Sequence, residues 1–314
     1  MSDSRAGFAS LGLPEVLLSA IARQGFEEPS PIQAQAIPLL LDGHDLLGQA
    51  QTGTGKTAAF ALPLLARLDA NLREPQMLIL APTRELAIQV ATACEEFAAD
   101  IKGLQVLPIY GGGEYRTQLK GLRGGAQVIV GTPGRVMDHM ERGSLKLDHL
   151  KALVLDEADE MLRMGFIDDV KWVLERTPSD CQLALFSATM PRPIERLAER
   201  YQRNALRLSL AGETRGHGDI AYQAITVGPS EIENAVVNLL RFHEAETAIC
   251  FCATRESVRR LHSTLQNRGF GVVALSGEHS QSERNTALQA LRDRRARVCV
   301  ATDVAARGID LPTL

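Results

Sequence analysis

No run of about 18 apolar residues free of charge occurs among the 314 residues, so no membrane-spanning helix is expected. The opening MSDSRAGF carries Asp3 early and has no apolar core, so no secretory signal is expected either. Five cysteines (Cys94, Cys181, Cys250, Cys252 and Cys299) are odd in number and irregular in spacing, which argues against a disulfide framework. These absences point to a cytoplasmic protein without membrane partners. A strong basic excess is also missing. The net charge of −4 lowers the expectation of nucleic-acid binding, although a local patch can act within an acidic chain. Cys250 and Cys252 in AICFCAT raise a metal reading, but no second Cys or His pair lies at ligand spacing. On a strand, residues two apart share a face, so two buried structural thiols are expected instead.

What is present is ordinary for a globular protein: 45% apolar and 23% charged residues. Short apolar runs alternate with helical patterns. Strands are predicted at 45–50, 77–82, 106–110, 126–132, 151–156 and 183–188, with helical spacing over 84–100 and 190–201. Such alternation predicts a parallel sheet covered on both faces, an α/β fold. The polar, glycine-rich LAGETRGHGD at 210–219 reads as a linker. Alternation then restarts with predicted strands at 221–228, 247–253, 272–277 and 297–303. The predicted organisation is a first domain over 1–209, a linker over 210–219 and a second, small domain over 220–314.

The segment Ala50-Gln51-Thr52-Gly53-Thr54-Gly55-Lys56-Thr57 fits the phosphate-loop pattern and stands between a strand and a helix. Gly53 and Gly55 let the backbone curl so that successive N–H groups converge on phosphate oxygens. The helix start adds partial positive charge. Lys56 supplies a cation for the outer phosphates, and Thr57 an oxygen for Mg²⁺. The bland alternative is a glycine-rich turn. Farther on, LVLDEADEM ends an apolar strand in Asp156-Glu157. Asp156 is placed to hold Mg²⁺ from the opposite side, and Glu157 to orient or deprotonate an attacking water. An acidic first helical turn is the plain alternative. Together the two elements give an NTP hydrolase.

The tetrad Asp156-Glu157-Ala158-Asp159 spells DEAD, and its surroundings resemble the DEAD-box family of ATP-dependent RNA helicases of superfamily 2. The resemblance runs in family order through GFEEPSPIQ (25–33), with Phe8 as the isolated upstream aromatic, AQTGTGKT (50–57), PTRELA (82–87), the glycine pair 111–112, TPGR (132–135), DEAD and SAT (187–189). It continues through FCATR (251–255), QSER (281–284) and ATDVAARGID (301–310). The SPIQ and TGTGKT forms look closest to bacterial members of the cold-shock or ribosome-assembly type.

The resemblance implies two RecA-like domains in tandem and P-loop NTPase chemistry. It implies an RNA-dependent ATPase that opens short duplexes or remodels ribonucleoprotein, of ribosomal or degradosome type. ATP and Mg²⁺ are the implied cofactors. Gln33 would read adenine through its amide and Phe26 would stack on the base. Gln51 to Thr57, with Asp303 from the second domain, would complete the nucleotide site, where Lys56, Asp156 and Glu157 carry the chemistry. Arg84, Gly112, Thr132, Arg135 and Thr302 would meet the RNA backbone rather than its bases. Asp159, Ser187, Thr189, Arg307 and Gly308 would couple hydrolysis to domain closure. Family members follow ATDVAARGID with an H-R-x-G-R-x-G-R segment that supplies arginine fingers. None follows here, so a C-terminally truncated second domain is expected. Two further readings stay open: an ATP- and RNA-binding module with little turnover, and a DNA translocase of the same superfamily.

Overall fold

Runs such as MLIL, VIVG and ALVL offer no polar residue to turn towards water, so strands carrying them need cover on both faces. A computed structural model shows that arrangement. It describes residues 7–209, 221, 223–277, 279 and 281–303, the side chain of Gln281 excepted. The chain divides between Arg215 and Gly216 into two compact units.

The first unit runs α1 (Glu15–Arg23), α2 (Pro31–Leu41), β1 (Leu46–Gln49), α3 (Lys56–Leu65), β2 (Met77–Leu80), α4 (Arg84–Phe97), β3 (Val106–Ile109), α5 (Tyr115–Arg123) and β4 (Val128–Gly131). It continues through α6 (Pro133–Glu141), β5 (Ala152–Leu155), α7 (Ala158–Arg163), α8 (Ile167–Leu174), β6 (Gln182–Ser187), α9 (Arg192–Tyr201) and β7 (Leu206–Ser209). The strands form one parallel sheet in the order β3-β4-β2-β5-β6-β1-β7. In register, Leu80 stands beside Leu155, Leu155 beside Leu185, and Gln49 beside Ser187. The carboxyl ends of β5, β6 and β1 therefore lie side by side. That edge is where open α/β sheets place their ligands.

Side chains alternate across the pleat. Met77, Ile79, Val154 and Phe186 enter one core, with Ile32 and Ile37 of α2, Phe60 and Leu64 of α3, and Val90 of α4. Leu78, Leu80, Leu153, Leu155 and Leu185 enter the other, with Val136, Val173 and Ile194 from α6, α8 and α9. The helix α3, KTAAFALPLL, is buried along its length except at half-buried Thr57, as its nearly all-apolar sequence requires. Its Phe60 lies 5.4 Å from Phe186, and truncating such a ring to alanine costs about 3–5 kcal/mol. The firm anchoring of α3 holds the phosphate loop at its start.

The second unit runs α10 (Ile232–His243), β8 (Ala248–Cys252), α11 (Arg255–Asn267), β9 (Val272–Leu275), α12 (Gln281–Arg292) and β10 (Val298–Thr302). Its parallel sheet has the order β8-β10-β9. Val237, Val258, Leu265, Val298 and Val300 pack on one face; Leu275, Leu291, Cys299 and Ala301 pack on the other.

Three expectations change. The described residues of 221–228 form no strand: Ile225 and Val227 face solvent and no ladder pairs them. β7, which the sequence reading did not include, adds to the free edge of β1. Cys250 and Cys252 share a face as expected but are half-buried, because β8 is an edge strand whose Phe251 is 63% exposed. Burial still pushes the Cys250 thiol up to about 11. Among the described residues no helix is long and apolar enough to cross a membrane.

Candidate nucleotide site and nucleic-acid surface

The phosphate loop leaves β1 and closes on α3 through Gly55, whose φ of 87° is left-handed. An L side chain resists that conformation by roughly 1–2 kcal/mol. A Cβ there would also collide with the Gln33 amide and lie 3.2 Å from Ser30 Oγ. The glycine is therefore required twice over. Thr54 Oγ1 donates to the Gln51 carbonyl (2.8 Å), so this hydroxyl braces the loop. Gln51, Thr52 and Gly53 are exposed at the tip, and Thr57 is half-buried at the second position of α3.

Behind the loop stands the GFEEPSPIQ segment. Ser30 precedes α2 and its Oγ donates to the Thr54 carbonyl (2.8 Å). Gln33, buried in the first turn, accepts from the Ser30 amide (2.8 Å) and donates to the Gly55 carbonyl (3.1 Å). Half of its amide thus braces the helix start and the phosphate loop, which leaves one N–H and one lone pair. Ser30 was not singled out in the sequence, although its place three residues before Gln33 is a helix-start signature. Phe26 is half-buried, with its ring 6.1 Å edge-on from both Phe8 and Phe97. This ring packs into the core margin.

Lys56 is 6% exposed and Asp156 3% exposed. Lys56 Nζ and Asp156 Oδ1 both lack a hydrogen-bond partner. Burial raises the Asp156 carboxyl above its ordinary range, against the pull of the Lys56 charge. Two buried, unsatisfied groups of opposite charge suit a phosphate on one side and a divalent cation on the other. The donor set fits Mg²⁺, with Thr57 offering a hydroxyl and Asp156 a carboxylate oxygen. Glu157 follows in a left-handed conformation, φ 52° and ψ 52°, unusual for a residue with a side chain. Burial, then the Asp156 charge, push its carboxyl up to about 7. Such a group can take a proton near neutral pH.

Asp159 is bound to the end of β6. Thr189 donates to its Oδ2 through both amide (2.9 Å) and hydroxyl (2.7 Å). The Asp159 amide donates to Ser187 Oγ (3.1 Å), and Ser187 Oγ donates to the Thr189 carbonyl (2.7 Å). Burial pushes the Asp159 carboxyl up, but the bonds from Thr189 and Ser187, with the Arg163 charge, outweigh it and hold it below the ordinary range. The Thr189 hydroxyl thus meets a DEAD carboxylate, and the Ser187 hydroxyl, which also bonds backbone groups, helps to hold that carboxylate low.

The proposed backbone-gripping residues gather at the strand ends of β2, β3 and β4. Thr83 caps α4 by accepting from the Leu86 amide (3.1 Å). Arg84 beside it donates to the Gly111 carbonyl and lies 5.3 Å from the Tyr110 ring centroid. Gly112, at φ 74°, leaves the room that this guanidinium occupies. Thr132 starts α6, and Arg135 Nη1 donates to Gln118 Oε1 (3.1 Å). The second unit repeats the first of these devices. Thr254 caps α11 by accepting from the Ser257 amide (3.1 Å), and a Cβ on Gly277 would lie 3.3 Å from Arg255. The signal was a repeated Thr-Arg-Glu, at 83–85 and 254–256, after a strand in each unit. Thr302 ends β10 and Asp303 follows it, exposed. Arg307 and Gly308 lie outside the described residues.

The sequence profile described as DEAD/DEAH box helicase matches residues 30–197. The chain belongs to that family. A second profile, the helicase conserved C-terminal domain, matches 231–314. The ATP-dependent RNA helicase DeaD of Klebsiella pneumoniae is 47% identical over 311 residues, 99% of this chain and 48% of the relative. Its counterpart in Haemophilus influenzae is 49% identical over 304 residues, 97% of this chain and 50% of the relative. The chain thus spans about half the length of these curated relatives. The structure of Saccharomyces cerevisiae Dbp5 bound to RNA and ADP BeF3 superposes with a TM-score of 0.85 at 35% identity, over 98% of this chain and 78% of that one. The two units are RecA-like domains in tandem, the second with a small sheet. The names of these relatives do not support the DNA-translocating alternative.

Proposed function

We propose that the chain is the ATP-hydrolysing, RNA-gripping core of a cytoplasmic RNA helicase that opens short duplexes or remodels ribonucleoprotein. The observation that carries this reading is Lys56 Nζ and Asp156 Oδ1, both buried and unpaired beside a carboxyl raised to about 7. ATP would place its phosphates against the phosphate-loop N–H groups and Lys56, with its base towards Phe26 and the remaining N–H and lone pair of Gln33. Thr57 and Asp156 would hold Mg²⁺, which neutralises phosphate charge when bound. Glu157 would accept the proton of the attacking water. Arg84, Gly112, Thr132 and Arg135, with Thr302 of the second unit, would hold RNA phosphates without reading bases. Asp303 would extend the nucleotide site. The Asp159–Thr189 bonds join the DEAD loop to the SAT loop and would pass the state of the nucleotide onward.

The test measures ATP hydrolysis by this chain alone, with single-stranded RNA, and with DNA of the same sequence. Stimulation by RNA and not by DNA is expected. Equal stimulation by DNA refutes RNA selectivity. Nucleotide and RNA binding with no stimulated hydrolysis refutes catalysis and leaves a binding module.

A further inference from the structure

Gln118, on α5, belongs to none of the motifs above, yet it is only 4% exposed. A buried primary amide must place both its donors and its acceptor. Here Nε2 donates to the Tyr110 carbonyl (3.1 Å), just ahead of the Gly111–Gly113 turn. Oε1 accepts from Arg135 Nη1 (3.1 Å) and faces His139 Nε2 (3.2 Å). A Cβ on Gly113 would lie 2.7 Å from Gln118 Nε2 and 2.8 Å from the Tyr110 ring, so the third glycine of the turn lets this amide in.

His139 is the second neighbour of the amide oxygen. Its ring is fully buried and stacks on Tyr115, with centroids 4.5 Å apart and planes 9° from parallel. Burial, with the Arg135 and Arg142 charges, outweighs Asp138 and holds the imidazole below its ordinary pKa. The amide oxygen can only accept, which puts a proton on Nε2, while Nδ1 lies 2.8 Å from Ser144 Oγ. The Ser144 hydroxyl also donates to the His139 carbonyl (3.0 Å), which the amides of Ser144 (2.9 Å) and Leu145 (3.1 Å) meet as well, so this residue ties the ring to the end of its own helix. Donation thus converges on Gln118 Oε1 from both sides. Arg135 Nη1 is turned inward to Gln118 and, at 3.5 Å, to the Gly113 carbonyl. Nε and Nη2 remain for a ligand, the edge of a guanidinium that matches two phosphate oxygens.

We infer that Gln118, held between the Tyr110 carbonyl and His139, is a positioning residue that sets Arg135 and the glycine turn for a nucleic-acid phosphate backbone. The inference rests on the reading that Arg135 holds RNA, and the experiment separates the two. Binding of a short fluorescein-labelled oligouridylate is titrated with ADP and beryllium fluoride at several salt concentrations. The proteins are wild type, Gln118→Met, Arg135→Ala and the double variant. Gln118→Met is expected to weaken RNA binding about tenfold, as loss of a hydrogen bond to a charged group would. It is also expected to flatten the salt dependence towards that of Arg135→Ala, by about one single-strand phosphate contact. The double variant is expected to bind no more weakly than Arg135→Ala. Wild-type binding by Arg135→Ala refutes the RNA reading of Arg135. A weakened Arg135→Ala with an unaffected Gln118→Met, or with fully additive losses, refutes the positioning role alone. Nucleotide affinity without RNA reports folding of the same unit. Should Gln118→Met lose it, His139→Phe, which keeps the stack on Tyr115 and removes the Nε2 donor, takes its place in the cycle with the same expected coupling.

Discussion

Replacing Glu157 by glutamine should stabilise the nucleotide-free protein at pH 8 and leave it unchanged near pH 4.5. The Glu157 carboxyl moves from 4.5 to about 7 on folding. Below pH 4.5 both folded and unfolded chains hold the proton. Between 4.5 and 7 the unfolded chain releases it while the folded chain keeps it, so stability falls as pH rises. Above 7 the folded chain ionises and carries the full cost. At 1.36 kcal/mol per unit the shift sets an upper bound of about 3 kcal/mol. Glu157 is only half-buried, and solvent screening reduces the expected gain to about 1–2 kcal/mol. For a unit of this size that is roughly 2–8 °C in melting temperature. Glutamine keeps the shape of the protonated acid and has the same backbone preference, so the left-handed strain at 157 cancels in the comparison. Calorimetry of the two proteins at both pH values is the assay. No gain at pH 8, or an equal gain at both, would refute the reasoning. The same variant should bind ATP and fail to hydrolyse it, whereas wild-type turnover should climb with pH through about 7.

Gly112→Ala should weaken RNA binding about as much as Arg84→Ala, because the new methyl displaces that guanidinium from a left-handed turn. Nucleotide affinity measured without RNA should not move. Thr189→Val removes the 2.7 Å bond to Asp159 and should cost about 1 kcal/mol at neutral pH, seen as a lower melting temperature. Because Asp159 is held below its ordinary range, that cost should shrink as pH falls through the carboxylate range. In duplex-separation assays the valine variant should lose strand separation while retaining ATP binding.

The phosphate loop and DEAD segment were legible because their chemistry depends on near neighbours in sequence: glycines at fixed offsets, then a lysine, and a carboxylate pair after an apolar strand. The buried strands were legible for a related reason, since MLIL and ALVL have no polar face. β7 escaped because it is short and mostly exposed, so no apolar run marks it. The 221–228 segment misled for the opposite reason: AYQAITV has strand composition, but composition supplies no ladder partner. Gln118 and His139 were invisible because a lone glutamine and a lone histidine have no spacing to read. Their meaning comes only from folding α5 and α6 against the glycine turn. Arg255 lay between these cases, signalled by a Thr-Arg-Glu that gains force only when both copies are seen to cap helices.

The same few atoms begin α2 and support the phosphate loop. The Ser30 amide and Gln33 Oε1 close the first helical turn, while Ser30 Oγ and Gln33 Nε2 hold the carbonyls of Thr54 and Gly55. A choice of base made through Gln33, as proposed, would therefore not be a trait that can be exchanged alone. A descendant that traded this glutamine to accept another nucleotide would loosen a helix start and a phosphate grip in one step. Selectivity exercised through Gln33 would resist drift for reasons of architecture, independent of any advantage one base holds over another.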